Sequence, residues 1–389
     1  MTAPPKKTAT GAPTLLCIVG ARPNFMKMAP ILAALRDHAP ALTVHLLHTG
    51  QHYDVAMNRQ YFEALGLPDP DVNLEVGSGT HAAQTAEVMR LFEPALEKIR
   101  PTAVLVVGDV NSTLACALVA TKKAIPVIHV EAGLRSNDRA MPEEINRILT
   151  DQISDLLFLT ERKGRDNLVR EGIDPARIQF VGNVMIDTLR NNLERAIPVR
   201  QLLQQAGYGD LLPNPEGYAA LTLHRPSNVD DPTVLRRLLE TVVTISERLP
   251  VVFPVHPRTR AMLDKSGLAA MLDTPRIAQL APLGYLEMLG LMKDARLVLT
   301  DSGGVQEETT ALGVPCLTLR NNTERPITAE EGSNTIVGQD PQRILAAFED
   351  IMQNGGKSGR IPEYWDGRAA ERIALYLRDW LPQQQRSQA

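Results

Sequence analysis

From Leu15 onward the chain alternates short apolar runs with amphipathic stretches. Leu15–Val19, Thr43–His48, Ala103–Val107, Val127–Val130, Leu156–Leu159 and Ile178–Val181 carry apolar, often β-branched residues in near-continuous runs. Runs of that kind mark strands covered on both faces, as in a parallel sheet with helices on either side. The stretches between them predict helices over about Phe25–Asp37, Ala82–Lys98, Ser112–Ala124 and Glu143–Ser154. A loop-forming segment, LLPNPEG at 211–217, interrupts the rhythm. Strands are then expected at Ala219–Leu223, Val251–Val255, Arg276–Leu280, Leu297–Thr300 and Cys316–Leu319, separated by helices near Pro232–Arg248, Tyr285–Met292, Val305–Leu312 and Pro341–Gln353. The fold class is therefore α/β, with two doubly wound units in series. The boundaries read as a disordered tail over 1–14, one domain over 15–190, a second over 191–365, and a C-terminal helix and tail over 366–389. Nothing in the sequence says onto which domain that last helix docks.

Length and charge narrow the class. At 389 residues the chain exceeds the roughly 100–200 residues of one domain. A composition of 44% hydrophobic residues supplies two cores, and a net charge of −4 argues against nucleic acid as partner. No apolar run approaches the ~20 residues of a spanning helix, so no membrane partner is expected. The tail MTAPPKKTATGAPT has lysines but no apolar segment behind them, unlike a signal peptide. Cys17, Cys116 and Cys316 lie far apart and read as buried free thiols, which fits a reducing, cytoplasmic compartment. No His/Cys/carboxylate spacing suggests a metal, and no Walker A sequence or nucleophile elbow occurs. Gly77–Ala82 matches a dinucleotide fingerprint in letters only and reads as a loop.

Doubly wound units hold ligands at the carboxyl ends of their strands, in this case across the cleft of two facing domains. In the second unit, a strand runs into Asp301-Ser302-Gly303-Gly304 and a helix. Ser302 suits an N-cap, and Gly303 and Gly304 let a ligand approach free N–H groups and the helix dipole. Glu308, a turn further on, is placed to accept from ribose hydroxyls. The plainer account is a capped tight turn. In the first unit, Gly20 opens a second strand-to-helix turn, with Arg22 at the helix start and Lys27 beyond it. Two such turns suit a diphosphate, with Arg225 and Arg325 as further cations.

Acid–base candidates gather in the first unit. Asp109 and Glu131 end consecutive strands, and Glu143 and Glu144 open the following helix. Three acids on one rim suggest proton transfer. Alternatively, Asp109 caps the helix of Ser112, Glu131 bridges to Arg135, and the Glu143/Glu144 pair only favours a helix N-terminus. His224 and His256 each follow a strand beside an arginine. Ligand contact and a structural role remain open for His224.

These residues occur in GARPNFMKMAP, HTGQHYD, GDVNSTLA, HVEAGLRS, MPEEINR, LHRPSN, LTDSGGVQEE and NNTERP, in this order. The set resembles the non-hydrolysing UDP-N-acetylglucosamine 2-epimerases from about Leu15 to Val337. The resemblance implies a glycosyltransferase-B-like pair of Rossmann-like domains, a UDP-sugar substrate, a homodimer and no cofactor or metal. It implies that Arg22 and Lys27 lie near the diphosphate and active site, and that His224, Ser302, Gly303, Gly304, Glu308 and Arg325 bind UDP. Asp109, Glu131 and Glu143 are then the acid–base carboxylates, with Lys27 and His224 counted beside them as catalytic. Gln51 and His52 resemble part of a second, allosteric UDP-sugar site found in some members. The implied reaction is reversible inversion at C2 of UDP-N-acetylglucosamine through a glycal, an isomerase reaction feeding surface polysaccharide synthesis. Two departures, PNFM after GAR and a shorter loop before PEE, look more like a branch acting on related sugars, including UDP-diacetamido-uronates. A glycosyltransferase on the same fold and a UDP-sugar-binding regulator are the other classes consistent with the motifs.

Overall fold

The computed structural model describes residues 11–51, 62–211 and 217–388. Its chain divides into two units, residues 1–188 with 363–389, and residues 189–362.

The first unit is built on a seven-stranded parallel sheet in the order β3-β2-β1-β4-β5-β6-β7. Its strands are β1 Thr14–Val19, β2 Thr43–His48, β3 Val72–Asn73, β4 Ala103–Val107, β5 Val127–Ala132, β6 Leu156–Leu159 and β7 Ile178–Phe180. Helices α1 Arg22–His38, α2 His81–Ile99, α3 Asn111–Lys122, α4 Pro142–Ile153, α5 Lys163–Arg170 and α6 Val184–Asn192 connect them, α6 running across the division between the units. Strand β1 pairs with both β2 and β4, so the strand order reverses direction at β1/β4. Alternating residues of β1 enter different cores. Leu15, Cys17 and Val19 pack with Phe25, Met28 and Ile31 of α1, whereas Leu16 and Ile18 pack with Val88, Phe92 and Leu96 of α2. That period of two in a doubly covered strand is why the run is apolar at every position.

The second unit carries a six-stranded parallel sheet in the order β10-β9-β8-β11-β12-β13. Its strands are β8 Ala219–Thr222, β9 Val251–Pro254, β10 Ile277–Leu280, β11 Leu297–Thr300, β12 Cys316–Thr318 and β13 Asn334–Ile336. Around it lie α7 Val199–Gln205, α8 Pro226–Val229, α9 Pro232–Ser246, α10 Pro257–Ser266, α11 Tyr285–Lys293, α12 Gly303–Leu312, α13 Pro326–Glu330 and α14 Pro341–Asn354. Here the order reverses at β8/β11. Crevices at such reversals are the ligand sites of open α/β sheets.

The last helix, α15 Ala369–Gln388, returns to the first unit. Asp187 accepts from the backbone N–H groups of Ala369 (3.1 Å) and Ala370 (2.7 Å), holding its first turn. Ile373, Ala374, Leu377 and Leu381 are buried in the core that contains Phe25, Met28 and Ile31.

Strands β3 and β13, of two and three residues, have no counterpart in the apolar pattern, and neither do α5, α6, α7, α8, α10 and α13. Such elements follow from their neighbours: β13 pairs with β12 through Asn334, Thr335 and Ile336, too few residues to show a period. The three cysteines are free and buried, Cys17 in β1, Cys116 in α3 and Cys316 in β12. Burial pushes the Cys316 thiol up to about 12. Among the described residues no helix is long and apolar enough to cross a membrane.

Candidate active site

In the first unit the candidate residues converge at the carboxyl ends of β1, β4 and β5. Lys27, on α1, places Nζ 2.5 Å from Oε2 of Glu131, with both side chains buried. Glu131 ends β5 with φ 73°, left-handed for a residue with a side chain, and the β5–β6 register shifts between Val130 and Ala132. A conformation that costs about 1–2 kcal/mol thus aims this carboxylate. The bridge to Arg135 does not form. Arg135 instead donates to Glu171 through Nε (2.8 Å) and Nη2 (2.6 Å), and pairs with Asp151 at 2.7 Å.

Asp109 follows β4 and leaves its side chain partly exposed, with Oδ2 accepting from Arg147 Nη1 at 3.0 Å. It does not cap α3, whose N-cap position is Val110. Asn146 donates to the backbone carbonyl of Asp109 (2.9 Å) and to Asn111 Oδ1 (3.2 Å). In the Glu143/Glu144 pair the two carboxylates differ. Glu144 is buried, accepts from Ser136 N and Asn137 N at 2.9 Å each, and pairs with Arg147 at 3.0 Å. Glu143, half-buried in the first turn of α4, stands outside that network. Arg147 therefore joins the loop held by Glu144 to Asp109, a role that the i, i+3 spacing of Glu144 and Arg147 signalled.

The turn at Gly20 is shaped by the protein itself. A Cβ on Gly20 would lie 2.3 Å from Ser112 Oγ. Asn24 Oδ1 takes the N–H groups of Gly20 and Ala21 (3.1 Å each), and its Nδ2 donates to Val107 O at 2.9 Å. Those two N–H groups, just ahead of α1, are occupied by the protein itself and not open to an anion. Arg22 is the first residue of α1 and half-buried. Gln51 is buried; its Oε1 accepts from Ser112 Oγ (2.8 Å) and its backbone carbonyl from Gln84 Nε2 (3.3 Å). His52 lies outside the described residues.

In the second unit, His224 and Arg225 follow β8, Asp301–Gly304 follow β11, and Arg320–Arg325 follow β12. His224 Nδ1 lies 2.8 Å from Asp301 Oδ1. Asp301 is fully buried and also accepts from the backbone N–H groups of His224 (2.9 Å) and Arg225 (2.9 Å) and from Asn228 Nδ2 (3.1 Å). Burial alone would raise this carboxyl, but the hydrogen bond and charge of His224 and the two backbone donors hold it below its usual range. Sequence alone assigns Asp301 no role of its own; it follows a strand, but that this strand neighbours the one before His224 is known only from the sheet order.

Ser302 occupies the N-cap position of α12, yet its hydroxyl makes no capping bond. A Cβ on Gly303 would lie 2.5 Å from Glu324 Oε1, whereas one on Gly304 would have no protein atom within 4 Å. Glu324 bonds Arg320 at 2.9 Å and approaches Arg225 at 3.7 Å. Burial would raise its carboxyl, but the charges of Arg325 and Arg320 hold it at about 2. Arg325 is itself paired with Glu307 at 2.8 Å. Glu308 is buried beside Tyr285; burial pushes its carboxyl up to about 8, against the hydrogen bond from Tyr285 and with the charge of Glu307 adding to the rise. At neutral pH it is therefore a protonated carboxyl. Arg320, Glu324 and Glu307 have no assigned role in the sequence, although Glu324 and Glu307 lie inside NNTERP and LTDSGGVQEE, because their ion pairs form only once these segments are folded together. Among the described residues no group of three or more His, Cys, Asp or Glu side chains could hold a metal ion.

The first unit thus offers two carboxylates on adjacent strand ends with a buried lysine. The second offers a histidine–aspartate pair, arginines and a helix start bearing a hydroxyl that makes no capping bond and an open glycine. Known proteins resemble the chain in sequence and fold. The family model for UDP-N-acetylglucosamine 2-epimerase matches residues 34–378. The UDP-N-acetylglucosamine 2-epimerase of Methanocaldococcus jannaschii is 44% identical over 369 residues, covering 93% of this chain and 98% of that protein. Its crystal structure in complex with UDP-GlcNAc and UDP superposes with a TM-score of 0.84, covering 94% of this chain and 99% of that one. The UDP-2,3-diacetamido-2,3-dideoxy-D-glucuronate 2-epimerase of Pseudomonas aeruginosa is 41% identical over 367 residues, covering 93% of this chain and 99% of that protein. With a family match spanning most of the chain and full-length relatives above 40% identity, the chain belongs to the UDP-N-acetylglucosamine 2-epimerase family.

Proposed function

We propose that this chain interconverts UDP-N-acetylglucosamine and UDP-N-acetylmannosamine by inverting C2. The observation that carries the reading is the pair of carboxylates, Asp109 and Glu131, on the ends of adjacent strands, with Lys27 at 2.5 Å from Glu131. Paired acids at fixed spacing are what removal and return of one proton requires.

The C2–H bond of a 2-acetamido sugar has no adjacent carbonyl and is not acidic. Breaking the C1–O bond to UDP makes C1 cation-like and C2–H removable. A carboxylate then takes the proton, leaving a glycal and UDP. Protonation of the opposite face of C2 and return of UDP to C1 give the epimer. Asp109, Glu131 and Glu143 are assigned to these proton transfers, with Lys27 fixing the charge and place of Glu131. Arg22, Arg225 and Arg325, together with Ser302, Gly303 and Gly304, are assigned to the UDP end. Arginines and helix-start N–H groups stabilise the charge that develops on the leaving diphosphate. His224, donating Nδ1–H to Asp301, presents its other nitrogen to that phosphate, and Glu308 is assigned to the ribose. Gln51 and His52 are assigned to a regulatory UDP-sugar site. We further propose a homodimer resident in the cytoplasm and serving surface polysaccharide synthesis.

A second reading, epimerisation of a UDP-diacetamido-uronate, rests on the 41% identity to the Pseudomonas aeruginosa enzyme, close to the 44% of the Methanocaldococcus jannaschii one. Proton NMR in D2O separates the readings. With UDP-N-acetylglucosamine, a manno-type anomeric signal and deuterium at C2 of the nucleotide sugar are expected. Turnover only of the diacetamido-uronate would select the second reading. A glycosyltransferase would need an acceptor and leave C2 unlabelled. The Asp109→Asn variant should lose turnover at least about 100-fold while binding UDP normally by calorimetry. Wild-type turnover in that variant would remove Asp109 from the chemistry.

A further inference from the structure

His129, Asp151 and their partners lie immediately beneath the acid–base residues and belong to no motif role. The His129 side chain points from β5 into a fully buried position, so it cannot touch substrate. Its Nδ1 is 2.7 Å from Asp151 Oδ1 and its Nε2 is 2.8 Å from the carbonyl oxygen of Gly108. A carbonyl oxygen only accepts. The other oxygen of Asp151 accepts from Gly133 N (3.1 Å) and pairs with Arg135 at 2.7 Å, so this carboxylate also only accepts. With Asp151 paired to Arg135 as a carboxylate, both ring nitrogens of His129 are placed to donate, one to each partner.

The two ends of this bridge are the residues next to the chemistry. Gly108 immediately precedes Asp109, has φ 67°, and donates to Val130 O at 3.0 Å. A Cβ on Gly108 would lie 2.9 Å from Lys27 Nζ, so the lysine rests on that glycine. Gly133, two residues after Glu131, has φ 79°, and its N–H is held by Asp151. The charged groups around the ring are Asp151 of α4, Glu131 near the end of β5 and Arg135 after it, Asp109 after β4, Lys27 of α1 and, beyond Arg135, Glu171.

We infer that His129 and Asp151 are positioning residues for the epimerase reaction, a buried ionic clamp that fixes the Gly108–Asp109 and Glu131–Gly133 turns at one spacing. The inference rests on the assignment of Asp109 and Glu131 to proton transfer. A buried ion pair seldom adds net stability over an apolar pair, so its retention favours a geometric role. Both turns run through left-handed residues that the strands alone do not fix. An uncharged replacement can satisfy only one side: a Gln at position 129 donates to Gly108 or to Asp151 and turns a lone pair toward the other.

Two measurements test the clamp. In the wild-type protein, long-range nitrogen–proton correlation of labelled histidines, with His129 assigned through His129→Gln, should show protons on both ring nitrogens at the pH of the activity assay. A singly protonated ring overturns the inference. Kinetically, His129→Gln and Asp151→Asn should lower kcat about 100-fold, the cost of roughly an ångström of misplacement, with KM and UDP affinity within about twofold of wild type. Deuterium entry at C2 should fall in parallel. A variant that retains kcat, or that loses UDP affinity as steeply as kcat, overturns a positioning role. If His129→Gln does not fold, Asp151→Asn and the wild-type spectrum decide. If wild-type protein binds UDP but exchanges no hydrogen at C2 of either sugar, the functional assignment fails; the clamp then stands or falls on the two ring protons and on slow exchange of the Gly133 amide.

Discussion

Glu131 is held twice over, by a left-handed backbone and by Lys27, and the two constraints separate in a double-mutant cycle. Removing one member of a buried pair leaves an uncompensated charge, so Glu131→Gln or Lys27→Met should each destabilise the protein by about 3–5 kcal/mol in denaturant titration. The double variant should recover most of that loss, because neither charge remains buried, while turnover stays abolished. If the double variant were no more stable than the singles, the 2.5 Å pair would not be the dominant partner of either residue. Glu308 makes a different prediction. Its carboxyl, raised to about 8 by burial, is neutral at pH 7 and ionises as pH passes that value. From its assigned place at the ribose, the new negative charge repels the diphosphate of the same nucleotide, so UDP affinity should fall by up to about tenfold per pH unit above roughly pH 8. Glu308→Gln cannot ionise and should bind with a flat profile over the same range. A wild-type profile that is equally flat would detach Glu308 from the UDP end.

Among the elements, the start of α12 is where packing and ligand roles can be told apart, because adjacent glycines face different surroundings. A Cβ at Gly303 would collide with Glu324 at 2.5 Å, whereas a Cβ at Gly304 meets no protein atom within 4 Å. Gly304→Ala should therefore leave the fold intact and even gain about 0.5–1 kcal/mol from helix propensity. Its UDP affinity should nevertheless drop, since the added methyl occupies the approach to the helix start. Gly303→Ala should lower stability and affinity together by displacing Glu324 from Arg320. Undiminished UDP affinity in Gly304→Ala would take this turn out of the phosphate site. The same element shows what was legible in sequence. Strand, turn glycines and helix could be read from RLVLTDSGGVQEETTAL, because each is a local pattern of burial and backbone freedom. That Asp301 belongs to His224 could not, since their pairing needs β8 and β11 to be neighbours, a fact of sheet order. The alternative of a Glu131–Arg135 bridge fell for the same reason: the closer partner in sequence lost to Lys27, which α1 brings across from β1. Asn24, within the PNFM departure, takes the two N–H groups just ahead of α1 and reaches β4 through Val107, which no local pattern signals.

At the scale of the molecule, the chain leaves its first unit near Thr188 and comes back to it at Glu363. The returning helix α15 buries Ile373, Leu377 and Leu381 completely against the α1 side of the first sheet. Each such side chain contributes about 1.5–3 kcal/mol, so losing all three removes roughly 5–9 kcal/mol. That is comparable to the ~5–15 kcal/mol stability of a whole domain. A chain ending at Pro362 should therefore lose the fold of its first unit and all turnover. The second unit keeps every residue of its own sheet, 189–362, with the separate core around Leu221, Phe253, Leu299 and Phe348. Its UDP-end residues, His224, Asp301, Ser302 and Glu308, all lie within that span. Calorimetry on the truncated protein should then show one surviving unfolding transition that UDP shifts upward, by about 2.7 kcal/mol when nucleotide exceeds its dissociation constant a hundredfold. Loss of that transition would mean that the second unit depends on the first for its stability. A surviving transition that UDP fails to move would mean instead that nucleotide binding needs residues of the first unit, and Arg22 would be the first to replace in the full chain.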